Sequence, residues 1–281
     1  MSMQIQDVLK LSQRLEGVSE SSQLDLELML CHLLNRSSSY LYTWPEKEID
    51  AELLQQLILM LERREQGEPV AHIIGYRGFW NFDLEVSPHT LIPRPDTEVL
   101  VEKALQLCTV RQARVADLGT GTGAIALALG SEQPEWQIIA SDFVSDAVEL
   151  AERNRVRLQL NNVEIVQGSW FEPHTGLYDL IVSNPPYIDP EDEHLQQGDV
   201  RYEPLSALIA ENKGLADIEL ICRQAREYLK PGGVLLFEHG YDQGGACRAL
   251  LRDLGYKDVD THRDYGQNER VTFGCWHGKE G

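Results

Sequence analysis

The residues best suited to chemistry form one short loop, Asn184-Pro185-Pro186-Tyr187, directly after the apolar run at residues 180–182. Such a run is typical of a strand inside a parallel sheet, and open α/β sheets bind ligands at the carboxyl ends of their strands. The two prolines fix the backbone and lack N–H donors, so the loop offers mainly acceptors. A substrate NH2 group could donate to the Asn184 side-chain oxygen and the Pro185 carbonyl, while the Tyr187 ring packs on the flat group. We therefore predict that these four residues are catalytic, in preference to an ordinary turn.

A glycine loop at residues 119–123 (GTGTG) lies between a predicted strand and a predicted helix. Its glycines permit a sharp turn and close approach of a ligand, and the start of a helix favours partial negative charge. Asp142 ends the next predicted strand, where a carboxylate can accept from both ribose hydroxyls. Trp170 follows the third predicted strand and could form a wall beside an adenine ring, with a core tryptophan as an equal alternative. The predicted cofactor-binding residues are Gly119, Thr120, Gly121, Thr122, Gly123, Asp142, Trp170 and Asn184.

The glycine loop alone leaves two cofactor classes open. With Ala124 in the last place, it also satisfies the G-x-G-x-x-G/A pattern of dinucleotide-binding enzymes, so a nicotinamide or flavin enzyme is not excluded. The loop at Asn184 favours another class. Hydride transfer has no evident use for two acceptors around an NH2 group, whereas methyl transfer to nitrogen does.

Alternating strands and helices must position these loops. The predicted strands are residues 114–118, 137–141, 163–167, 178–183 and 234–238, and the predicted helices are residues 124–129, 145–158, 214–229 and 244–254. This alternation predicts an α/β domain with a mostly parallel sheet and helices on both faces. Strand-like runs at residues 257–261 and 270–276 are expected to add antiparallel edge strands.

The first third of the chain has a different pattern. Leucine-rich stripes at helical spacing continue to about residue 75, and an alternating stretch that turns near Asn81 then predicts a hairpin. We predict three parts: a helical substrate-recognition bundle at residues 1–75, an extended or hairpin linker at 76–93, and a cofactor-binding domain at 94–281. Ser21 or Ser22 is expected to cap one helix of the bundle, and Asp96 or Thr97 the first helix of the large domain.

Composition limits the partners. Asp and Glu outnumber Lys and Arg by 45 to 25, and the resulting net charge of −20 disfavours nucleic acid and anionic membrane surfaces. The five cysteines lack CxxC spacing, so we expect neither disulfides nor a metal site. No apolar run is long enough to span a bilayer and no signal peptide is indicated, so we expect a cytoplasmic protein without membrane partners.

Several segments together resemble one family. Residues 91–98 (LIPRPDTE), 183–188 (SNPPYI), 194–201 (HLQQGDVR), 238–240 (EHG) and 263–266 (RDYG) are similar to the peptide chain release factor glutamine methyltransferases. The resemblance covers essentially the whole chain. It implies an S-adenosyl-L-methionine-dependent enzyme that methylates the side-chain amide nitrogen (N5) of the glutamine in the Gly-Gly-Gln motif of class 1 peptide chain release factors. It also implies a Rossmann-like methyltransferase domain with a seven-stranded sheet, after a small all-α domain and a hairpin linker.

By the same resemblance, the glycine loop and Asp142 would hold the amino acid part and ribose of the cofactor, and Trp170 would lie near adenine. Asn184 would border both cofactor and substrate, with Glu238 and residues 196–204 as further candidates. We expect a monomer. Two alternatives remain: a methyltransferase for an exocyclic amine of a nucleic-acid base, which the net charge disfavours, and a dinucleotide-dependent oxidoreductase or non-catalytic protein of the same fold.

Overall fold

The structure is a computed structural model that describes residues 2–196 and 198–278, except the side chains of His194 and Gln196. Gln197, within the candidate segment 196–204, lies outside the described residues. The chain divides into two compact units. The helical unit comprises Met1–Tyr76 and Glu193–Tyr202, and the sheet unit comprises Arg77–Asp192 and Glu203–Gly281. The boundaries predicted at residues 75 and 93 stay a prediction.

The helical unit is built on leucine-rich helices. Its elements are β1 (Met3–Gln4), α1 (Ile5–Val8), a 3₁₀ helix (Leu9–Leu15), α2 (Ser22–Leu34), α3 (Ser38–Thr43), β2 (Glu48–Ile49), α4 (Ala51–Glu65) and α5 (Val70–Ile74). Strands β1 and β2 form a two-residue antiparallel pair that the sequence did not indicate. Arg64 is 5% exposed and forms ion pairs with Asp25 and Asp199, which ties the segment Glu193–Tyr202 to α2 and α4.

The caps differ in part from expectation. Ser21 stands at the N-cap of α2, but its hydroxyl donates to the Asp25 side chain and makes no capping bond. The first helix of the large domain, α6, begins at Pro95, so Asp96 and Thr97 lie inside its first turn and the predicted cap there is wrong. Proline favours the first helical position because it lacks the N–H that would have no partner there.

The sheet unit contains the predicted alternation. Its elements are β3 (Tyr76–Phe79), β4 (Phe82–Glu85), α6 (Pro95–Leu107), β5 (Arg114–Leu118), α7 (Ala124–Glu132), β6 (Gln137–Asp142), α8 (Ser145–Leu158), β7 (Val163–Gln167), β8 (Tyr178–Ser183), α9 (Glu211–Gly214), α10 (Ala216–Tyr228), β9 (Leu229–Glu238), α11 (Gly244–Asp253), β10 (Lys257–Arg263) and β11 (Glu269–Trp276). Strands β3 and β4 form the predicted hairpin, and the other seven form one sheet.

The order of the seven strands is β10-β11-β9-β8-β5-β6-β7, with β10 and β11 antiparallel to their neighbours and the rest parallel. This confirms the predicted fold class and the antiparallel edge. The direction of strand progression reverses between β5 and β8. Such a switch point is where open α/β sheets bind ligands, and the glycine loop follows β5 while Asn184 follows β8.

Side chains of the central strands alternate between two buried clusters. Val115 and Leu180 lie in the cluster that α6 and α7 cover, whereas Ala116 and Ile181 lie in the cluster that α10 and α11 cover. Because both faces are buried, the register of these strands is strongly specified, and the loops at their ends are held by a rigid base. Among the described residues, no helix has the length and apolar composition needed to cross a membrane.

Candidate functional site

A cavity of about 300 Å³ lies at the carboxyl ends of β5, β6 and β8. It brings together most of the residues that the sequence predicted. Of the predicted site residues, Gly119, Thr120, Gly121, Thr122, Asp142, Trp170, Asn184 and Pro186 line the cavity. Gly123, Pro185 and Tyr187 are outside its lining, although each adjoins a residue that lines it. The cavity is also lined by Arg94 and Thr97, which belong to the sequence motif at residues 91–98.

The glycine loop turns sharply because three of its residues have left-handed backbone conformations, with φ of 71° at Gly119, 56° at Gly121 and 86° at Gly123. The Ser141 carbonyl at the end of β6 accepts from the N–H groups of Gly119 and Thr120, both at 2.9 Å. A Cβ at Gly119 would lie 3.3 Å from the Trp170 ring, which is tight contact. The loop is thus fixed to β6 on one side and leaves room for Trp170 on the other.

Asp117, the penultimate residue of β5, is fully buried below the loop. Its Oδ2 accepts from the Thr120 hydroxyl at 2.6 Å and from the Ala126 N–H at 3.2 Å. Its Oδ1 has no hydrogen-bond partner among the described residues. Burial raises the pKa of the Asp117 carboxyl to about 7, because the charged form is poorly solvated there.

Asp142, at the end of β6, lies across the cavity from β8. Its two carboxylate oxygens accept from the N–H groups of Gly121 at 2.9 Å and Val144 at 3.0 Å. A carboxylate has about four acceptor positions, so Asp142 retains capacity for a ligand hydroxyl. Burial raises its pKa, and the backbone N–H groups oppose that shift.

Asn184 is oriented by a network that begins at a buried carboxylate. Glu238, at the end of β9, is 1% exposed, and its Oε2 accepts from the Thr97 hydroxyl at 2.7 Å. Because that hydroxyl proton points at Glu238, the Thr97 oxygen is left to accept, and it accepts from Asn184 Nδ2 at 3.2 Å. The Asn184 Oδ1 is therefore turned away from Thr97, and no hydrogen bond among the described residues uses it.

The second oxygen of Glu238 holds the other end of the same loop. Its Oε1 accepts from the Tyr187 hydroxyl at 3.1 Å. Burial raises the pKa of Glu238, and the positive charge of Arg270 opposes that shift. Burial also raises the pKa of the Tyr187 hydroxyl, which stays a donor. We call Glu238, Thr97, Asn184 and Tyr187 the carboxylate network.

Sequence reasoning missed part of this arrangement. Thr97 was expected to be a helix cap, yet its hydroxyl links Glu238 to Asn184. Glu203 was not missed, because it lies in the candidate segment 196–204; it is 5% exposed, pairs with Arg94 at 2.7 Å and fixes a charged residue of the cavity wall. Asn154 is fully buried and donates to the Thr122 carbonyl at 3.0 Å, which supports the glycine loop. For Thr97 the sequence signal was Pro95. Proline prefers the first helical position, so α6 begins at Pro95 and Thr97 lies in its first turn.

Comparison with known proteins first gives the class. A family model described as the methyltransferase small domain matches residues 95–199, and one described as the PrmC N-terminal domain matches residues 8–75. A solved methyltransferase structure from Pyrococcus furiosus has a TM-score of 0.54 at 19% identity and covers 78% of this chain and 98% of its own, which supports the fold. The fold, the site and the family models define a Rossmann-like methyltransferase that depends on S-adenosylmethionine, as predicted.

Curated relatives then give the family. A release factor glutamine methyltransferase of Shewanella oneidensis is 55% identical over 266 residues, which is 94% of this chain and 93% of the relative. One of Escherichia coli is 52% identical over 260 residues, 92% of this chain and 94% of the relative. This chain belongs to the release factor glutamine methyltransferase family, and the predicted family and enzyme class are confirmed.

The residues around the cavity fit that cofactor. Two buried oxygens beside the glycine loop, Asp117 Oδ1 and Thr90 Oγ1, have no partner among the described residues and can accept from a bound amino or hydroxyl group. Asp142 offers further acceptor capacity, and Trp170 offers an aromatic face. An acceptor-rich site with one fully buried and one partly buried aspartate also suits a ligand that carries a positive charge.

Proposed function

We propose that this enzyme transfers a methyl group from S-adenosylmethionine to the side-chain amide nitrogen of the Gly-Gly-Gln glutamine in class 1 release factors. The observation that supports this most is the orientation of Asn184. Its amide nitrogen is bound to Thr97, so the amide presents an oxygen, the atom that an NH2 substrate requires. The relatives named for release factor glutamine methylation support the choice of substrate.

An amide nitrogen is a poor nucleophile because its lone pair is delocalised into the carbonyl. In the proposed mechanism, Asn184 Oδ1 and the Pro185 carbonyl accept the two N–H hydrogens of the substrate amide. Both acceptors are fixed before the substrate arrives, Oδ1 by the carboxylate network and the carbonyl by the two prolines. They align the nitrogen for in-line attack and increase its electron density. The cofactor supplies a methyl group on a positively charged sulfur.

The proton of the methylated amide leaves after transfer. Glu238 is not suited to remove it, because both of its oxygens accept from Thr97 and Tyr187 and the side chain is buried. Once the nitrogen is methylated its proton is strongly acidic, so water is a sufficient acceptor. In this proposal Glu238 orients Asn184, and Tyr187 acts by fixing Glu238, in addition to the predicted contact of its ring with the substrate.

The cofactor roles follow from the cavity lining. We assign the glycine loop, residues 119–123, to the amino acid part, Asp142 to the ribose and Trp170 to the adenine ring. Asn184 borders cofactor and substrate. We further propose that the helical unit recognises the release factor, that the enzyme acts as a cytoplasmic monomer, and that it has no direct nucleic-acid partner, in keeping with a net charge of −20.

One experiment tests the proposal. The protein is incubated with methyl-labelled S-adenosylmethionine and, in separate reactions, a class 1 release factor, the same factor with its Gly-Gly-Gln glutamine changed to alanine, and DNA or RNA. We expect label in the unmodified release factor alone. Label in nucleic acid but not in the release factor would refute the proposed substrate, and light scattering of the same sample tests the monomer.

A further inference from the structure

Three buried side chains behind Trp170 form a second hydrogen-bonded network within the sheet unit. Tyr178 and Ser141 are fully buried and His174 is 4% exposed. The Tyr178 hydroxyl lies 2.8 Å from His174 Nδ1, and the Ser141 hydroxyl lies 2.9 Å from His174 Nε2. The Ser141 hydroxyl then donates to the Trp170 carbonyl at 3.2 Å. We call Tyr178, His174, Ser141 and the Trp170 carbonyl the histidine network.

The direction of every bond in this network follows from its last acceptor. A carbonyl can only accept, so the Ser141 proton points to Trp170, and the Ser141 oxygen must accept from His174 Nε2–H. His174 Nδ1 is then an acceptor, and the Tyr178 hydroxyl donates to it. The ring is neutral in this tautomer. Burial lowers the pKa of His174 to about 4, which agrees with a neutral ring at physiological pH.

Ser141 joins both walls of the cofactor cavity. Its carbonyl accepts from the N–H groups of Gly119 and Thr120, and its hydroxyl holds the backbone of Trp170. One residue therefore fixes the distance between the glycine loop and the tryptophan. The Trp170 ring lies in tight contact with the position a Cβ would take at Gly119, so a small shift of either wall changes the space between them.

The backbone at Trp170 has a conformation that requires such support. Its φ is 45°, in the left-handed region that a bulky aromatic residue rarely adopts. Such conformations persist where the surroundings hold them, and they are frequent at ligand-binding sites. The bond from Ser141 to the Trp170 carbonyl is one restraint on this backbone. Without it, Trp170 is free to move toward a more favourable φ and carry its ring away from the cavity wall.

We propose that Ser141 and His174 are positioning residues that hold Trp170 as a fixed wall for the flat ring of the cofactor. This inference rests on the cofactor role proposed for Trp170 and extends it to the residues behind it. The chemistry recognised is that of a planar heteroaromatic ring on a ribose, which stacks on the indole face.

Isothermal titration calorimetry with S-adenosylmethionine tests this inference, and Ser141→Ala is the variant. The substitution keeps the Ser141 carbonyl that holds the glycine loop, and it removes only the hydroxyl. We expect the affinity for the cofactor to fall about tenfold, the scale of losing one buried hydrogen bond. Thr272→Val is a matched control, because Thr272 is also fully buried and its hydroxyl also bonds the Nε2 of a buried histidine, His239, but it does not line the cavity. We expect the control to bind the cofactor normally.

A double-mutant cycle separates positioning from a general loss of stability. In a Trp170→Ala background, Ser141→Ala should have no further effect on cofactor affinity, since the ring that it positions is absent. An equal tenfold loss in both backgrounds would overturn the inference, as would an unchanged affinity in Ser141→Ala itself. If Ser141→Ala folds poorly, Tyr178→Phe removes the first hydroxyl of the network and keeps the ring, and it should weaken binding about threefold. Normal binding by that variant would likewise count against the inference.

The readout is independent of the release factor. A protein that binds S-adenosylmethionine but labels no release factor would refute the proposed substrate and leave the histidine network testable. Steady-state kinetics adds a second check on an active enzyme. Ser141→Ala should raise KM for the cofactor and leave KM for the release factor unchanged, whereas a lowered kcat at unchanged cofactor KM would contradict a positioning role for Trp170.

Discussion

The two functional loops of the sheet unit are supported by buried hydrogen-bond networks of opposite character. The carboxylate network starts from Glu238, whose two carboxyl oxygens accept from the hydroxyls of Thr97 and Tyr187. The histidine network starts from Tyr178 and passes through a neutral His174, which donates on one side and accepts on the other. The first network ends at a side-chain amide and the second at a backbone carbonyl.

The difference indicates how each loop gains its specificity. At Asn184 the side-chain amide can present either its oxygen or its nitrogen to the substrate. Glu238, which accepts at the far end of the network, determines through Thr97 that the oxygen is presented. At Trp170 the requirement is only a fixed ring position, which neutral donors and acceptors can meet. Substitutions in the carboxylate network should therefore act on catalysis, and those in the histidine network on cofactor binding.

Asn184→Ala should produce the largest effect and separate methyl transfer from cofactor binding most clearly. It removes the acceptor for the substrate amide, so we expect kcat to fall by roughly 10³-fold, as for loss of one preorganised hydrogen-bonding group in other active sites. Cofactor affinity should change by less than about threefold, because most of the residues that we assign to the cofactor lie elsewhere in the cavity. Methyl transfer and calorimetry on the same preparation measure both. Near-normal turnover would refute the acceptor mechanism.

Thr97→Val should have the next largest effect, since it breaks the link between Glu238 and Asn184. Without the hydroxyl, the amide of Asn184 is free to rotate and present its nitrogen, so we expect kcat to fall about 30-fold at unchanged cofactor affinity. Thr97→Ser keeps the hydroxyl and is the matched control, with activity close to that of the unmodified enzyme. If Val and Ser variants were equally active, the network would not orient Asn184.

Much of the fold could be predicted because local signals and tertiary structure agree. The strands at residues 114–118, 163–167 and 178–183 have the predicted bounds, as has the helix at 145–158. Strand β9 begins at Leu229, five residues earlier than predicted, because Pro231, Gly232 and Gly233 have the composition of a turn. The strand continues through them with φ of 85° at Gly232 and an irregular register against β8. Only the neighbouring strand could indicate this.

The site could be predicted only where it depends on strand ends. Asn184 and Asp142 follow apolar runs directly, so their place at the sheet edge follows from the sequence. The bond between Thr97 and Glu238 spans 141 positions, and no local pattern indicates it. The expected contact of the Tyr187 ring with substrate remains a prediction, since the structure shows its hydroxyl on Glu238 and not its face in the cavity.

Cofactor affinity should depend on pH through Asp117, which is buried below the glycine loop of the cofactor cavity. Its pKa is raised to about 7, so the carboxyl is largely protonated below that pH and ionised above it. Because the cofactor carries positive charge, we expect its affinity to rise about tenfold between pH 6 and pH 8, measured by calorimetry. Asp117→Asn is the isosteric control and should show a much flatter profile. An equal slope in both proteins would assign the dependence to another group.

Stability in acid should distinguish the two networks by sign. The pKa of His174 is lowered to about 4 in the folded protein, against an ordinary value near 6.5 in the unfolded chain, so between these two pH values mainly the unfolded chain carries this proton. The contribution of His174 to the free energy of unfolding is present above pH 6.5 and should fall by about 1 kcal/mol between pH 7 and pH 5.5. The pKa of Glu238 is raised, so its ionised form opposes folding and acid relieves that cost.

Urea unfolding of the unmodified protein and of His174→Gln at the two pH values isolates the histidine contribution. The difference in free energy of unfolding between the two proteins should shrink by about 1 kcal/mol at pH 5.5, because glutamine does not titrate. Where Glu238 takes up its proton at lower pH, the corresponding Glu238→Gln difference should change with the opposite sign, because the pKa of Glu238 is raised in the folded protein. A His174→Gln difference that is constant with pH would mean that His174 takes up its proton at the same pH in the folded protein as in the unfolded chain, and the expected contribution of the buried neutral ring would then be absent. A difference that grows in acid would mean that the folded protein holds His174 protonated, and the neutral tautomer and the bond directions derived from it would then be wrong.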